Sequence, residues 1–386
     1  MVYEQEKTTV PIPPVGAGGE QPISNTSVES IAGNPSEIND LNGISDERFE
    51  EIFRQLHCVS DPAYMPTVTL NQLFEEVFPS RPPIIDGLLH TGTYLLAGAP
   101  KVGKSFLVAQ IAYHVSTGQP LWNNPVRKGT VLYLALEDDY RRLQERMSRM
   151  FGVEGNENLF FSTCAKTIGN GLDEQIELFI QEHPNTNLII IDTLQKVREA
   201  SGETYSYASD YEVIGQLKKL ADTKGICVLI VHHTRKQQAG DKFEMISGTT
   251  GLLGCADGAF LLQKERRTDL NATLEIVGRD QPDQRLYLTR DTEKLLWQLD
   301  HAETELWKRP PDPLLDKIAA MITEDTPEWN GSATELVLLL QADIQPNILT
   351  RKLNVKAGDL LNEHGIEYAV KRTRNGSFIS LARKTV

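Results

Sequence analysis

The run Thr93-Tyr-Leu-Leu-Ala97-Gly98-Ala99-Pro100-Lys101-Val102-Gly103-Lys104-Ser105-Phe106 decides the fold. Gly98 to Ser105 match the phosphate-loop pattern, two glycines enclosing four residues and followed by lysine and a hydroxyl residue. Tyr94 to Ala97 before it predict a short buried strand, and Phe106, Leu107, Ala109, Ile111 and Ala112 after it an apolar helix. Glycine at 98 and 103 lets the backbone curl so that successive N–H groups face an anion, and the helix N-terminus adds its positive dipole end. Gly98, Ala99, Pro100, Lys101, Val102, Gly103, Lys104, Ser105 and Phe106 therefore predict a cradle for ATP. Lys104 would reach the β and γ phosphates, and Ser105 would offer its hydroxyl to Mg²⁺.

Further apolar runs alternate with helical stretches from about Ile84 to Leu299, which predicts an α/β fold with a parallel sheet covered by helices. The strands expected are 93–97, 131–136, 188–191, 226–231 and 258–263, with 272–277 and 286–289 as an antiparallel extension. In such a sheet, ligands bind beyond the carboxyl ends of the strands, so the residues ending each strand are the candidates. Strand 131–136 is followed by Glu137, Asp138 and Asp139. Glu137 is the candidate base that orients the attacking water, while Asp138 and Asp139 suit capping of the next helix. Strand 188–191 ends in Asp192, which with Ser105 would hold Mg²⁺. Strand 226–231 is followed by His232 and His233. His233 would sense the terminal phosphate; a zinc site is the competing reading, without a third ligand at metal-binding spacing.

The chain of 386 residues carries a formal charge of −14, unevenly spread. Residues 1–60 hold three basic against ten acidic side chains, whereas residues 347–386 hold eight basic against three acidic. A basic end on an acidic chain suits a localised anionic partner or a solvated face. Cys58, Cys164, Cys227 and Cys255 show neither zinc nor disulfide spacing and read as reduced thiols. No apolar stretch approaches the ~20 residues that span a bilayer, and the first thirty residues carry no secretory pattern. A cytoplasmic protein without a membrane partner is expected.

The organisation expected is a disordered tail at 1–44, rich in Pro, Gly and Ser, and a helical lead-in at 45–83. The nucleotide core follows at 84–300, then a Pro-rich linker at 301–313 and a separate module at 314–386. That module reads as three helices and two strands, with Asn375-Gly376 as a hairpin signal, which describes a winged helix-turn-helix.

The ordered set of the loop at Gly98 to Ser105, Glu137, Asp192, His232-His233 and Arg279-Asp280 resembles the RecA-type ATPases of the RepA and DnaB helicase group. The likeness covers about residues 84–295. It implies a RecA-like P-loop core in which Glu137 is the catalytic base, His233 the γ-phosphate sensor and Arg279 a finger reaching into a neighbouring subunit's nucleotide. Lys104 and Asp192 complete the catalytic set. A ring follows, usually a homo-hexamer, because a site shared between neighbours is complete only when subunits pack head to tail. The chain departs from replicative relatives at Val277, where they often carry lysine, and Arg285 and Arg290 are alternative fingers.

Arg235, Lys236 and Lys242, on the loop after His233, are candidates for gripping single-stranded DNA. Arg351 and Lys352 on the third helix of the tail, with Lys371, Arg372 and Arg374 on its hairpin, are candidates for duplex contact; a protein-docking role is the alternative. The function expected is an ATP-driven DNA helicase or translocase of a mobile element. The alternative is an ATP-switched DNA-binding initiator or loader that unwinds nothing.

Overall fold

The computed structural model describes residues 65, 67–78, 81–198, 207–234, 251–279, 281–303, 312–373 and 376–384. The chain divides into two units, Met1–Leu73 and Phe74–Val386. In the first, Thr69 and Gln72 make the reciprocal bonds of a capping box at the start of helix α1 (Leu70–Glu75). The tail expected at 1–44 and residues 45–64 of the expected lead-in lie outside the described residues.

The second unit contains a nine-stranded sheet. Its strands in chain order are β1 (Gly92–Gly98), β2 (Thr130–Ala135), β3 (Leu159–Ser162), β4 (Thr186–Asp192), β5 (Cys227–His233), β6 (Gly258–Gln263), β7 (Asn271–Gly278), β8 (Gln284–Arg290) and β9 (Trp297–Ala302). The spatial order is β3-β2-β4-β5-β1-β6-β7-β8-β9. Pairing is parallel from β3 to β6 and antiparallel from β6 to β9, so the antiparallel extension expected from the sequence is present.

Strands buried on both faces explain the unbroken apolar runs. Ile189 and Ile191 point to one side and Leu188 and Ile190 to the other, all fully buried. One side packs against α2 (Lys104–Thr117) and α3 (Tyr140–Phe151). The other packs against α4 (Leu172–Glu182), α5 (Leu194–Val197), α6 (Tyr207–Lys224) and α7 (Gly251–Cys255).

Beyond residue 311, α8 (Pro313–Met321), β10 (Glu328–Ser332), α9 (Ala333–Leu340), α10 (Pro346–His364), β11 (Ile366–Thr373) and β12 (Gly376–Arg383) follow. The strands form an antiparallel sheet in the order β10-β12-β11. Ile318, Leu336, Leu349, Leu353, Ile379 and Leu381 belong to a core of its own. Local signals set its helices: Asp312 caps α8 ahead of Pro313, Ser332 and Glu335 form a capping box on α9, and Gly365 ends an unbroken α10 in the left-handed conformation. Three strands, β3, β9 and β10, were not expected from sequence. Among the described residues no helix is long and apolar enough to cross a membrane.

Candidate nucleotide site

Strand β1 delivers the loop to the carboxyl edge of the sheet, between β5 and β6. Its glycines are required by space as well as by dihedral. A Cβ on Gly98 would lie 2.5 Å from the Leu262 carbonyl oxygen, and one on Gly103, at φ 112°, 2.7 Å from the Trp297 ring. Lys104 and Ser105 open α2. The buried Lys104 ammonium donates to the carbonyls of Gly98 (2.7 Å) and Ala99 (3.1 Å) and to His233 Nδ1 (3.0 Å). Burial pushes its pKa down to about 8, against the opposing pull of Asp192 and Glu137. An ammonium only donates, so His233 accepts through Nδ1 and carries its hydrogen on Nε2. Burial first, and Lys104 second, hold His233 below the usual histidine range and keep it neutral. The register Gly98↔His233 between β1 and β5 brings these two elements side by side.

Asp192 ends β4 and is paired in register with Ala135, the last residue of β2. Its carboxylate accepts hydrogen bonds from the Ser105 hydroxyl and from Tyr133 Oη, the latter at 3.0 Å. Burial raises its pKa, and the two hydroxyls oppose that rise. The Asp192–Thr193 peptide bond is cis. Glu137 lies two residues beyond β2, exposed, and accepts from Thr193 Oγ1 at 3.2 Å. Asp139 caps α3 through Arg142 N, and Asp138 pairs with Arg146 at 2.7 Å. Both acidic residues after Glu137 are thus engaged with α3, which leaves Glu137 to face the loop. Ser105 and Asp192 bring a hydroxyl and a carboxylate oxygen together, hard donors that fit Mg²⁺. Among the described residues no cluster of three His, Cys, Asp or Glu side chains suits a metal by itself, zinc included. A cleft of about 1190 Å³ opens on the outer side of the loop, bounded by Pro100 and Lys101 and by Lys264, Asn271 and Tyr287.

Residues 60–239, which contain Gly98 to Ser105, Glu137, Asp192 and His233, match the AAA domain family. The match covers just under half of the chain. The match agrees with the phosphate-loop ATPase part of the resemblance. The DNA repair protein RadA of Streptococcus pneumoniae (strain ATCC BAA-255 / R6) is 27% identical over 153 residues, 39% of this chain and 32% of that protein. The chain therefore matches about a third of that relative's length. Among solved structures, one described as an ATPase domain aligns at a TM-score of 0.46 with 16% identity, over 66% of this chain and 98% of that one. A DnaB-like replicative helicase, described with its interactions with primase, aligns at 0.47 with 15% identity, over 71% and 76%.

The three candidate finger arginines fall in different places. Arg279 follows β7 at the amino edge of the parallel strands. Its backbone N–H donates to the Asp257 carbonyl, whose own N–H donates to Thr93 at the start of β1. Its side chain, 55% exposed, bonds the Gly254 carbonyl at 3.1 Å and lies 3.8 Å from the Asp257 carboxylate. Asp280, the next residue, lies outside the described residues. Six residues of β1 separate this edge from Gly98, about 17–20 Å at strand rise. Arg285 is paired with Glu275 (3.1 Å) and Glu303 (2.9 Å). Arg290 stacks on Phe106, 4.1 Å from the ring centre, beside this chain's own loop.

Of the residues suggested for nucleic acid, Arg235, Lys236, Lys242 and Arg374 lie outside the described residues. Arg351 and Lys352 are on α10, and Lys371 and Arg372 on β11. Arg372 makes a two-pronged ion pair with Glu75 (2.7 and 2.9 Å), and Arg351 lies 3.9 Å from the same carboxylate. Lys352 pairs with Asp312 at 3.2 Å, and Lys371 is exposed. The residues that sequence reasoning missed are Tyr133, Arg146 and Trp297. Tyr133 and Trp297 read as core side chains, and their polar partners lie 59 and 194 positions away.

Proposed function

We propose that the protein is an ATP-driven DNA helicase or translocase of the RepA type, working as a homo-hexameric ring with nucleotide held between neighbours. The observation that carries this reading is the division of the catalytic set between two edges of one sheet. Lys104, Ser105, Glu137, Asp192 and His233 gather at the carboxyl edge, while Arg279 stands at the amino edge, too far to reach its own chain's loop. If Arg279 serves a nucleotide, it serves that of another copy, which requires head-to-tail packing. Arg285 and Arg290 are disfavoured as fingers, since one is held by two carboxylates and the other lies against its own loop.

ATP with Mg²⁺ would supply the phosphoryl group and charge neutralisation, and Ser105 and Asp192 would hold the ion. Lys104 would exchange its bonds with the Gly98 and Ala99 carbonyls for phosphate oxygens. Glu137 orients the attacking water and takes its proton, with Thr193 fixing one carboxylate oxygen. His233, neutral with its hydrogen on Nε2, donates toward the terminal phosphate. Its contact with Lys104 would relay that state to the loop beginning at Arg235, where single-stranded DNA would be gripped.

The element order after residue 311, helix, strand, two helices and a hairpin with strand order β10-β12-β11, supports a winged-helix reading. α10 is then the recognition helix and β11–β12 the wing. Lys371, Arg374 and the outer face of α10 would meet duplex phosphates. The decisive experiment is steady-state ATP hydrolysis across a range of protein concentrations, with and without single-stranded DNA, for the wild type and Arg279→Ala, together with strand separation on a forked duplex. A rate that climbs with concentration and DNA and collapses in the variant is expected. Turnover indifferent to all three, with no strand opened, would instead favour an ATP-switched initiator or loader.

A further inference from the structure

Trp297 begins the last strand of the sheet, four positions from β1 in the strand order, yet its ring lies against the phosphate loop. The antiparallel extension curls over α2 and returns to the loop. The indole is 1% exposed, and its Nε1–H donates to the Gly103 carbonyl at 3.3 Å. Three further bonds fix the residue independently of that contact. Trp297 N–H donates to Gln110 Oε1 (2.8 Å), Gln110 Nε2 donates to the Trp297 carbonyl (2.9 Å), and Trp122 Nε1 donates to the same carbonyl (2.7 Å). Gln110 is itself buried on α2, so strand β9 and the loop's own helix are bolted together six residues beyond Lys104.

A trans peptide is planar, with N–H and C=O pointing in opposite directions. Holding the Gly103 oxygen from beneath therefore aims the Lys104 N–H to the opposite, concave side, where loop N–H groups meet phosphate. The Gly103 oxygen also accepts from Leu107 N at 3.1 Å, the first bond of α2, so one carbonyl ties the helix start and the indole together. The ring fills the space that a Cβ at position 103 would need, so only glycine fits beneath it. We propose that Trp297 is a positioning residue for phosphate binding, setting the plane of the Gly103–Lys104 peptide from the far end of the sheet. This rests on the nucleotide-site reading above.

The test compares ADP binding by calorimetry in the full-length wild type, Trp297→Phe, Gln110→Ala and Lys104→Ala, alongside tryptophan emission. Phenylalanine keeps an aromatic ring in the slot and removes only the donor and the second ring. Loss of one aligned hydrogen bond to a binding peptide predicts ADP affinity about tenfold weaker in Trp297→Phe. ADP is also expected to change the emission of the wild type, and that change is expected to vanish in Trp297→Phe, although Trp122, Trp307 and Trp329 remain. A merely structural role would lower the melting temperature without producing that spectral response. Unchanged ADP affinity in Trp297→Phe, or a persisting emission change, overturns the proposal. Should Trp297→Phe fail to fold, Gln110→Ala carries the test, with weaker ADP binding and red-shifted emission expected and wild-type affinity overturning the proposal. A wild type that binds ADP no better than Lys104→Ala would sink the nucleotide-site reading as well.

Discussion

Asp192 carries the sharpest consequence at the scale of single residues. One of its oxygens depends on the hydroxyl of Tyr133, a fully buried side chain of β2. Tyr133→Phe removes one oxygen atom and leaves the packing intact, so nucleotide turnover should need several-fold more Mg²⁺ while the melting temperature shifts by only the equivalent of about 1 kcal/mol. A Mg²⁺ titration of the ATPase rate checks this, and an unchanged midpoint would remove Tyr133 from the site. Glu137→Gln should retain nucleotide and lose turnover by about a hundredfold or more; normal hydrolysis would show that another group is the base. That Glu137, Asp192 and His233 reach one edge of the sheet was legible in the sequence for a physical reason. A polar residue closing an apolar run has to emerge at the edge of a doubly covered sheet. Tyr133 was not legible, because alternation marks it as core and nothing local reveals that its hydroxyl meets a carboxylate 59 positions later.

Among the elements, α2 is held by two glycines, Gly103 before it and Gly118 after it, both in left-handed conformations. Near its end His114 donates through Nδ1 to the Gln119 carbonyl at 3.1 Å, and burial holds its pKa below the usual value. The unfolded chain protonates this histidine near pH 6.5, at about the ordinary value, before the folded chain does. The unfolded state therefore binds more protons below that pH, and the contribution of His114 to stability is present above it and lost as the pH falls. Melting curves between pH 5 and 7.5 should show the wild type dropping away from His114→Gln on the acid side. Coincident curves would show that this histidine does not titrate on unfolding. In the C-terminal module, Ser332→Ala breaks the capping box of α9 and should cost about 1 kcal/mol. The long helices and central strands were visible in periodicity and caps. β3 is four residues long, and β10 reads Glu-Trp-Asn-Gly-Ser. Such segments become strands because a neighbour pairs with them, which no local pattern encodes.

For the whole molecule, separating Arg279 from the loop by the length of a strand predicts complementation. Arg279→Ala retains an intact loop, and Lys104→Ala retains an intact Arg279, so mixing two inactive variants should restore a fraction of the hydrolysis rate. Mixtures that stay inactive at every ratio would argue against a site shared between copies. The strand order has another consequence, for how the chain acquires this structure during synthesis. β1 lies between β5 and β6, and Thr93 is in register with Val228. A ribosome that has emitted the phosphate loop must add more than a hundred further residues before either flanking strand of β1 exists. Long-range parallel pairing of this kind forms slowly and leaves an apolar strand without partners meanwhile. Nascent chains halted before Cys227 should therefore be cut readily by protease near the loop and should engage chaperones. Resistance should arise only once Gln263 has cleared the exit tunnel.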